Sequence, residues 1–163
     1  MTNRPKRSMS EGMKALIATA IGAGLVCLAL WPFAVRAETY SGPYGASVVR
    51  VIDADTLELA VDVWPGQVVT VAVRVLGIDT PEVRRPDCEA ERALGRRASA
   101  LVRGLAPPAS RVALLDVQEG KYAGRVVGTI AVDGESLADA LIEAQLARPY
   151  NGRGPRPEWC ADE

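Results

Sequence analysis

Three short β-forming runs, Val48 to Asp53, Thr56 to Val63 and Val68 to Leu76, follow one another with only Asp53-Ala54-Asp55 and Trp64-Pro65-Gly66-Gln67 at the joints. Joints this short allow antiparallel hairpins and no crossover, so the segment is predicted to be a three-stranded meander. In the third run Val69, Val71, Val73 and Val75 share one side-chain phase, while Thr70, Ala72 and Arg74 share the other. Arg74 is therefore not forced onto the valine face. In the second run the apolar phase is Leu57, Leu59, Val61 and Val63, and a step back by two residues adds Asp55. A carboxylate at the head of an inward-facing row needs a partner if it is to stay ionised.

Further along, Glu89 to Arg103 is rich in Ala, Arg and Glu and lacks β-branched residues until Val102, so a helix is predicted there, ended by Gly104 and Pro107-Pro108. Arg111 to Val117 and Arg125 to Val132 are two more predicted strands. Asp133-Gly134 turns the chain, and Ser136 with Asp139 starts a second helix expected to run to about Ala147. From Pro149 onward the chain reads as loop. Five strands, with one helix after the third and another after the fifth, suit an α+β fold. The expectation is a five-stranded barrel of the oligonucleotide-binding type with two or three helices, because an open sheet would leave edges that so short a domain cannot cover.

The residues before this body are of a different kind. A basic segment precedes a nearly unbroken apolar run from Ala15 to Val35, and Val35-Arg36-Ala37 offers small residues before Glu38. Residues 1–37 are thus a signal peptide or an uncleaved signal anchor, and both readings place the body outside the cytoplasm, periplasmic or secreted, with the inner membrane touched only through an uncleaved leader. Residues 38–150 form the expected domain and 151–163 its tail. With Cys27 assigned to the leader, the body holds Cys88 and Cys160, an even count that predicts a disulfide in an oxidising compartment, with two free thiols as the alternative. Such a bond would tie the tail to the segment just past Glu82.

Charge limits the partners. Residues 38–163 keep 14 of the 19 basic residues and 19 of the 20 acidic ones, a net of −5. An acidic body argues against a general electrostatic grip on nucleic acid, so polyanion binding must be local or helped by a cation. There is no histidine. That excludes a Ser-His-Asp triad, a histidine base and the common zinc sites, and leaves oxygen ligands that favour a hard ion such as Ca²⁺ or Mg²⁺.

Asp53-Ala54-Asp55-Thr56 and Arg74-Val75-Leu76-Gly77-Ile78-Asp79-Thr80-Pro81-Glu82 each deliver carboxylates at a strand end, and Lys121-Tyr122-Ala123-Gly124-Arg125 adds a second arginine at a strand start. Taken singly these are ordinary turns and surface charges. Together, arginines and carboxylates around a divalent ion are the parts needed to cleave a phosphodiester.

Over roughly residues 46–150 these motifs resemble the staphylococcal nuclease (thermonuclease) family, and Cys88 with Trp159-Cys160 resembles its exported bacterial members. The resemblance implies calcium ligands at Asp55, Asp79 and the Thr80 carbonyl, phosphate-binding arginines at Arg74 and Arg125, and a water-activating carboxylate at Glu82. It also implies hydrolysis of single-stranded or frayed DNA or RNA to products with 3′-phosphate ends. Tyr122 and Tyr150 are candidate substrate-stacking residues, and a monomer is expected. Ala54 stands where the family has glycine, which requires Ala54 to keep a negative φ. Ala123 is an extra residue that would turn Arg125 to the opposite face unless a bulge at Ala123-Gly124 restores it. The competing function is a catalytically weak or inactive barrel acting as a binding module in the cell envelope.

Overall fold

The computed structural model describes residues 38–160; the leader, with Cys27, lies outside the described residues. Five long strands carry the architecture: β2 (Tyr44–Asp53), β3 (Thr56–Trp64), β4 (Gln67–Val75), β6 (Arg111–Glu119) and β7 (Arg125–Val132). β2, β3 and β4 form the antiparallel meander, with the chain reversing at Ala54-Asp55 and again at Pro65-Gly66, where Gly66 takes φ +78°. β4 then pairs in parallel with β7, β7 pairs with β6 and β6 with β2, so the sheet closes on itself. The result is a closed five-stranded mixed barrel with two helices, as the strand count required.

The barrel interior follows the alternation of the sequence. Leu57, Leu59, Val73, Val75, Leu114 and Ile130 are fully buried, whereas Val63, Val68 and Val69 at the far end of the β3–β4 hairpin stay exposed. Helix α1 (Glu89–Leu105) adds Ala98 and Val102 to the core, and helix α2 (Leu137–Glu143) adds Leu137 and Leu141. α1 begins at Cys88, whose Sγ accepts the Glu91 N–H, and α2 begins at Ser136, whose hydroxyl accepts the Asp139 N–H.

Two sequence expectations are corrected here. α2 stops at Glu143 rather than near Ala147, because Gln145 takes φ +58° and the Leu146 and Ala147 N–H groups turn back to the Leu141 carbonyl. No bulge forms at Ala123-Gly124 within a strand. These residues belong to a turn before β7, in which Gly124 takes φ +77° and the Arg125 N–H returns to the Tyr122 carbonyl. The extra residue is absorbed outside the ladder. Gly120, at the other end of this turn, lies so close to the Arg125 carbonyl that a Cβ there would collide with it.

Short strands fasten the ends. β1 (Thr39–Tyr40) pairs with β6 and β8 (Glu135–Ser136) with β7. β5 (Ile78–Asp79) pairs with β9 (Arg148–Pro149), which fixes the backbone carrying Asp79 just beyond the end of β4. Beyond β9 the tail returns across this end of the barrel to a disulfide between Cys88 and Cys160, at a Cα–Cα separation of 6.1 Å.

Candidate functional site

A cavity of about 850 Å³ opens at the end of the barrel where the β2–β3 turn, the end of β4, β5 and the start of β7 meet. Local pairing brings the side chains there. The β2–β3 hairpin has only Ala54 and Asp55 between the paired residues Asp53 and Thr56, and Ala54 is buried without a positive φ, so alanine serves where the related motif has glycine. Arg74 stands opposite Thr56 across the β3–β4 ladder. In the parallel ladder Arg125 stands beside Ala72, two residues from Arg74, so both arginines leave the sheet on one face.

Asp55, Asp79, Glu82, Arg74, Arg125, Tyr122 and Tyr150 all line this one cavity, as does Thr80. Arg74 bridges the two aspartates: Nη1 lies 2.7 Å from Asp55 Oδ2 and Nη2 lies 3.3 Å from Asp79 Oδ1. Asp79 is completely buried and Asp55 nearly so. Burial pushes the Asp55 carboxyl up from its ordinary range, against the downward pull of Arg74 and of the Thr56 hydroxyl, which donates to Oδ1 at 2.8 Å. A carboxylate in that state gains from added positive charge.

Glu82 is held from two sides. Its Oε1 accepts the N–H groups of Val83 and Arg84, both at 3.0 Å, and its own N–H donates to Glu91 Oε1 at 3.0 Å. The contacts among the described residues engage Oε1 and leave Oε2 without a hydrogen-bond partner among them. Arg125 rests its guanidinium 4.8 Å from the centre of the Tyr122 ring. Its Nε is buried yet has no hydrogen-bond partner among the described residues, which suits a donor that an anion completes. Tyr122 thus carries Arg125 on its ring, and Tyr150 donates its hydroxyl to the Gly154 carbonyl at 2.9 Å.

The donor set fits a hard divalent cation. Asp55 and Asp79 could supply carboxylate oxygens and Thr80 a main-chain carbonyl, and all three residues line the cavity. Among the described residues no three His, Cys, Asp or Glu side chains cluster closely enough to hold a metal by themselves. The remaining ligands would be water and phosphate, as is usual where chemistry must occur at the ion.

Sequence reasoning missed two residues. Glu91, buried on α1, accepts both the Glu82 N–H and, through Oε2, the Asp87 N–H at 2.7 Å. Arg156, from the tail, holds Asp79: Nε donates to Oδ1 at 3.0 Å, and Nη2 donates to Oδ2 and to the Thr80 carbonyl, both at 3.1 Å. Trp159 Nε1 also donates to Asp79 Oδ2, at 3.3 Å. A glutamate in the first turn of a predicted helix was the available sign for Glu91, but nothing in the sequence showed that it is buried. Arg156 had none, since it reaches across 77 residues of sequence.

The profile of the staphylococcal nuclease homologue family matches residues 72–159, just over half of the chain. The chain is also 32% identical over 122 residues to Protein ParB of Escherichia coli, a match covering 68% of this chain and 61% of that protein. The chain therefore spans less than two thirds of that relative's length.

Proposed function

Since the chain belongs to the staphylococcal nuclease homologue family, we propose that it is a calcium-dependent phosphodiesterase that hydrolyses single-stranded DNA, RNA or both to products with 3′-phosphate ends. The observation that carries this reading is the convergence of Arg74, Arg125 and Glu82 on the cavity that also holds Asp55, Asp79 and Thr80. The cavity answers the objection raised by the acidic body, because Arg84, Arg85 and Lys121 line it as well and make the positive charge local.

In this reading Glu82 orients a water through Oε2 and takes its proton as the oxygen attacks phosphorus. Arg74 and Arg125 donate to the phosphate oxygens, whose charge grows as the five-coordinate arrangement forms. The bond from phosphorus to the 5′ oxygen breaks, which leaves a 3′-phosphate on one product and a 5′-hydroxyl on the other. A calcium ion held by Asp55, Asp79 and the Thr80 carbonyl would supply neutralisation of a phosphate oxygen. The buried Asp55 and Asp79 are suited to bind it, and Tyr122 orients Arg125 from below. The apolar leader and the disulfide support a site of action outside the cytoplasm, where such bonds persist.

The test is hydrolysis of single-stranded DNA and RNA with calcium, then with excess chelator. Cleavage that stops on chelation and returns with calcium is expected, with 3′-phosphate ends on the products. Cleavage undiminished by exhaustive chelation removes the metal assignment. The binding-module reading draws on one observation, the guanidinium of Arg156 on Asp79. Tight oligonucleotide binding without cleavage at any calcium concentration would establish it instead.

A further inference from the structure

Asp79 and the Thr80 carbonyl are two of the three ligands of the calcium reading, and both already face a cation of the chain itself. A single nitrogen, Arg156 Nη2, lies 3.1 Å from Asp79 Oδ2 and 3.1 Å from the Thr80 carbonyl oxygen, so it holds the position shared by the two donors. Arg156 Nε takes the other carboxylate oxygen at 3.0 Å. Planar two-pronged contacts between guanidinium and carboxylate are among the stronger hydrogen-bonded arrangements, and here the carboxylate is fully buried. The tail is built to present this side chain. Trp159 donates to the same aspartate, Arg148 stacks 4.5 Å over the Trp159 ring and donates to the Glu158 carbonyl, and the disulfide at Cys160 fixes the chain four residues beyond Arg156.

We propose that Arg156 is a built-in competitor of the divalent cation: the disulfide-tethered tail holds its guanidinium on Asp79 and Thr80, and the site binds calcium only as Arg156 withdraws. The inference rests on the calcium reading above and names the residue that sets affinity at that site. An ion bound to both donors would compete with Arg156 Nη2 for the space between them, because calcium needs its oxygens at about 2.3–2.6 Å and the nitrogen already stands 3.1 Å from each. Apparent affinity is then the intrinsic affinity reduced by the fraction of molecules in which Arg156 is off. Half of the Arg156 side chain is exposed, so it can move into solvent without a barrel strand moving. The tether raises the local concentration of the competitor.

The experiment is a calorimetric titration of calcium into the metal-free full chain, wild type against Arg156→Gln, with thermal melts of both at zero and saturating calcium. Arg156→Gln should bind calcium at least ~10-fold more tightly. It should melt lower than wild type without calcium, since Asp79 loses its main partner, and the gap should close or reverse when calcium saturates the site. A purely structural arginine would leave the gap unchanged. Cys160→Ser, which keeps Arg156 and cuts the tether, should also tighten calcium binding and serves if the glutamine variant fails to fold. Equal calcium affinity in wild type, Arg156→Gln and Cys160→Ser overturns the proposal while leaving the calcium site intact. Absence of calcium binding in all three overturns the proposal and the calcium reading together.

Discussion

At the scale of single residues the site contrasts carboxylates that are held with one that is free to work. Asp55 and Asp79 are buried and paired with Arg74, whereas Glu82 is half-buried and tied through one oxygen only. In the proposed mechanism Glu82 is therefore the carboxylate placed to orient water, while both aspartates are engaged by Arg74. Glu82→Gln keeps a carbonyl oxygen for the Val83 and Arg84 amides but removes the proposed base. Turnover on single-stranded DNA at saturating calcium should fall at least ~10²-fold with the circular dichroism unchanged. Arg74→Ala should fall by a similar factor, because its donors act mainly on charge that develops in the transition state. Near-normal rates in both would place the chemistry elsewhere. Arg74 and Asp55 were legible in the sequence because each sits at or beside a strand end, where periodicity fixes its side, whereas Glu82 lies in the irregular segment after β5 and was legible only through its motif. The Tyr122–Arg125 stack was not, since it depends on how the extra Ala123 is accommodated.

At the scale of elements, α1 is the support on which the Glu82 segment rests. Its buried face runs Glu91, Gly95, Ala98, Ser99 and Val102. Gly95 lets the segment approach, since a Cβ there would stand 2.6 Å from the Pro81 carbonyl oxygen and 2.8 Å from Val83 Cγ2. One turn earlier, Glu91 caps the Glu82 and Asp87 N–H groups. Glu91→Ala leaves both amides without that acceptor, at roughly 1–3 kcal/mol for each one kept from water. The expected result is a kcat lowered ~10-fold or more, because Glu82, the proposed base, loses its position, with KM for a short oligonucleotide little changed. Glu91→Gln, which retains one acceptor oxygen, should recover part of the rate. A loss confined to KM would assign Glu91 to substrate binding instead. Strands and helices were readable from alternation and caps, but α2 ended early at a left-handed Gln145 that carries no glycine signal. The turn before β7, in place of the expected bulge, has a related reason: a period-two pattern shows that one residue is in excess and leaves open whether the ladder or the turn absorbs it.

At the scale of the whole molecule, closure of the barrel by β6 with β7 followed from the strand count, but the return of the tail to the cavity end did not. Contacts between residues 77 positions apart leave no local pattern, and Arg156 lies in a stretch of Gly and Pro that reads as loop. The cysteine pair was the one sequence sign that the tail is held at all. Its bond spans 72 residues, and in the chain-entropy account such a closure restricts the unfolded chain by roughly 4 kcal/mol. That is a large share of the roughly 5–15 kcal/mol that a small domain has in total. Cys88→Ser with Cys160→Ser tests it cleanly, because serine at position 88 keeps a side-chain acceptor for the Glu91 N–H and so preserves the start of α1. Urea unfolding of the metal-free protein should show a loss of about 3–5 kcal/mol. A loss below ~1 kcal/mol would mean that the tail contributes little to the constraint on the chain. The same double variant should bind calcium more tightly than wild type, for the tether that stabilises the fold also keeps Arg156 on Asp79. Opposite signs for stability and calcium affinity from one bond are the signature of a tail that holds the domain together by occupying the cavity end of the barrel.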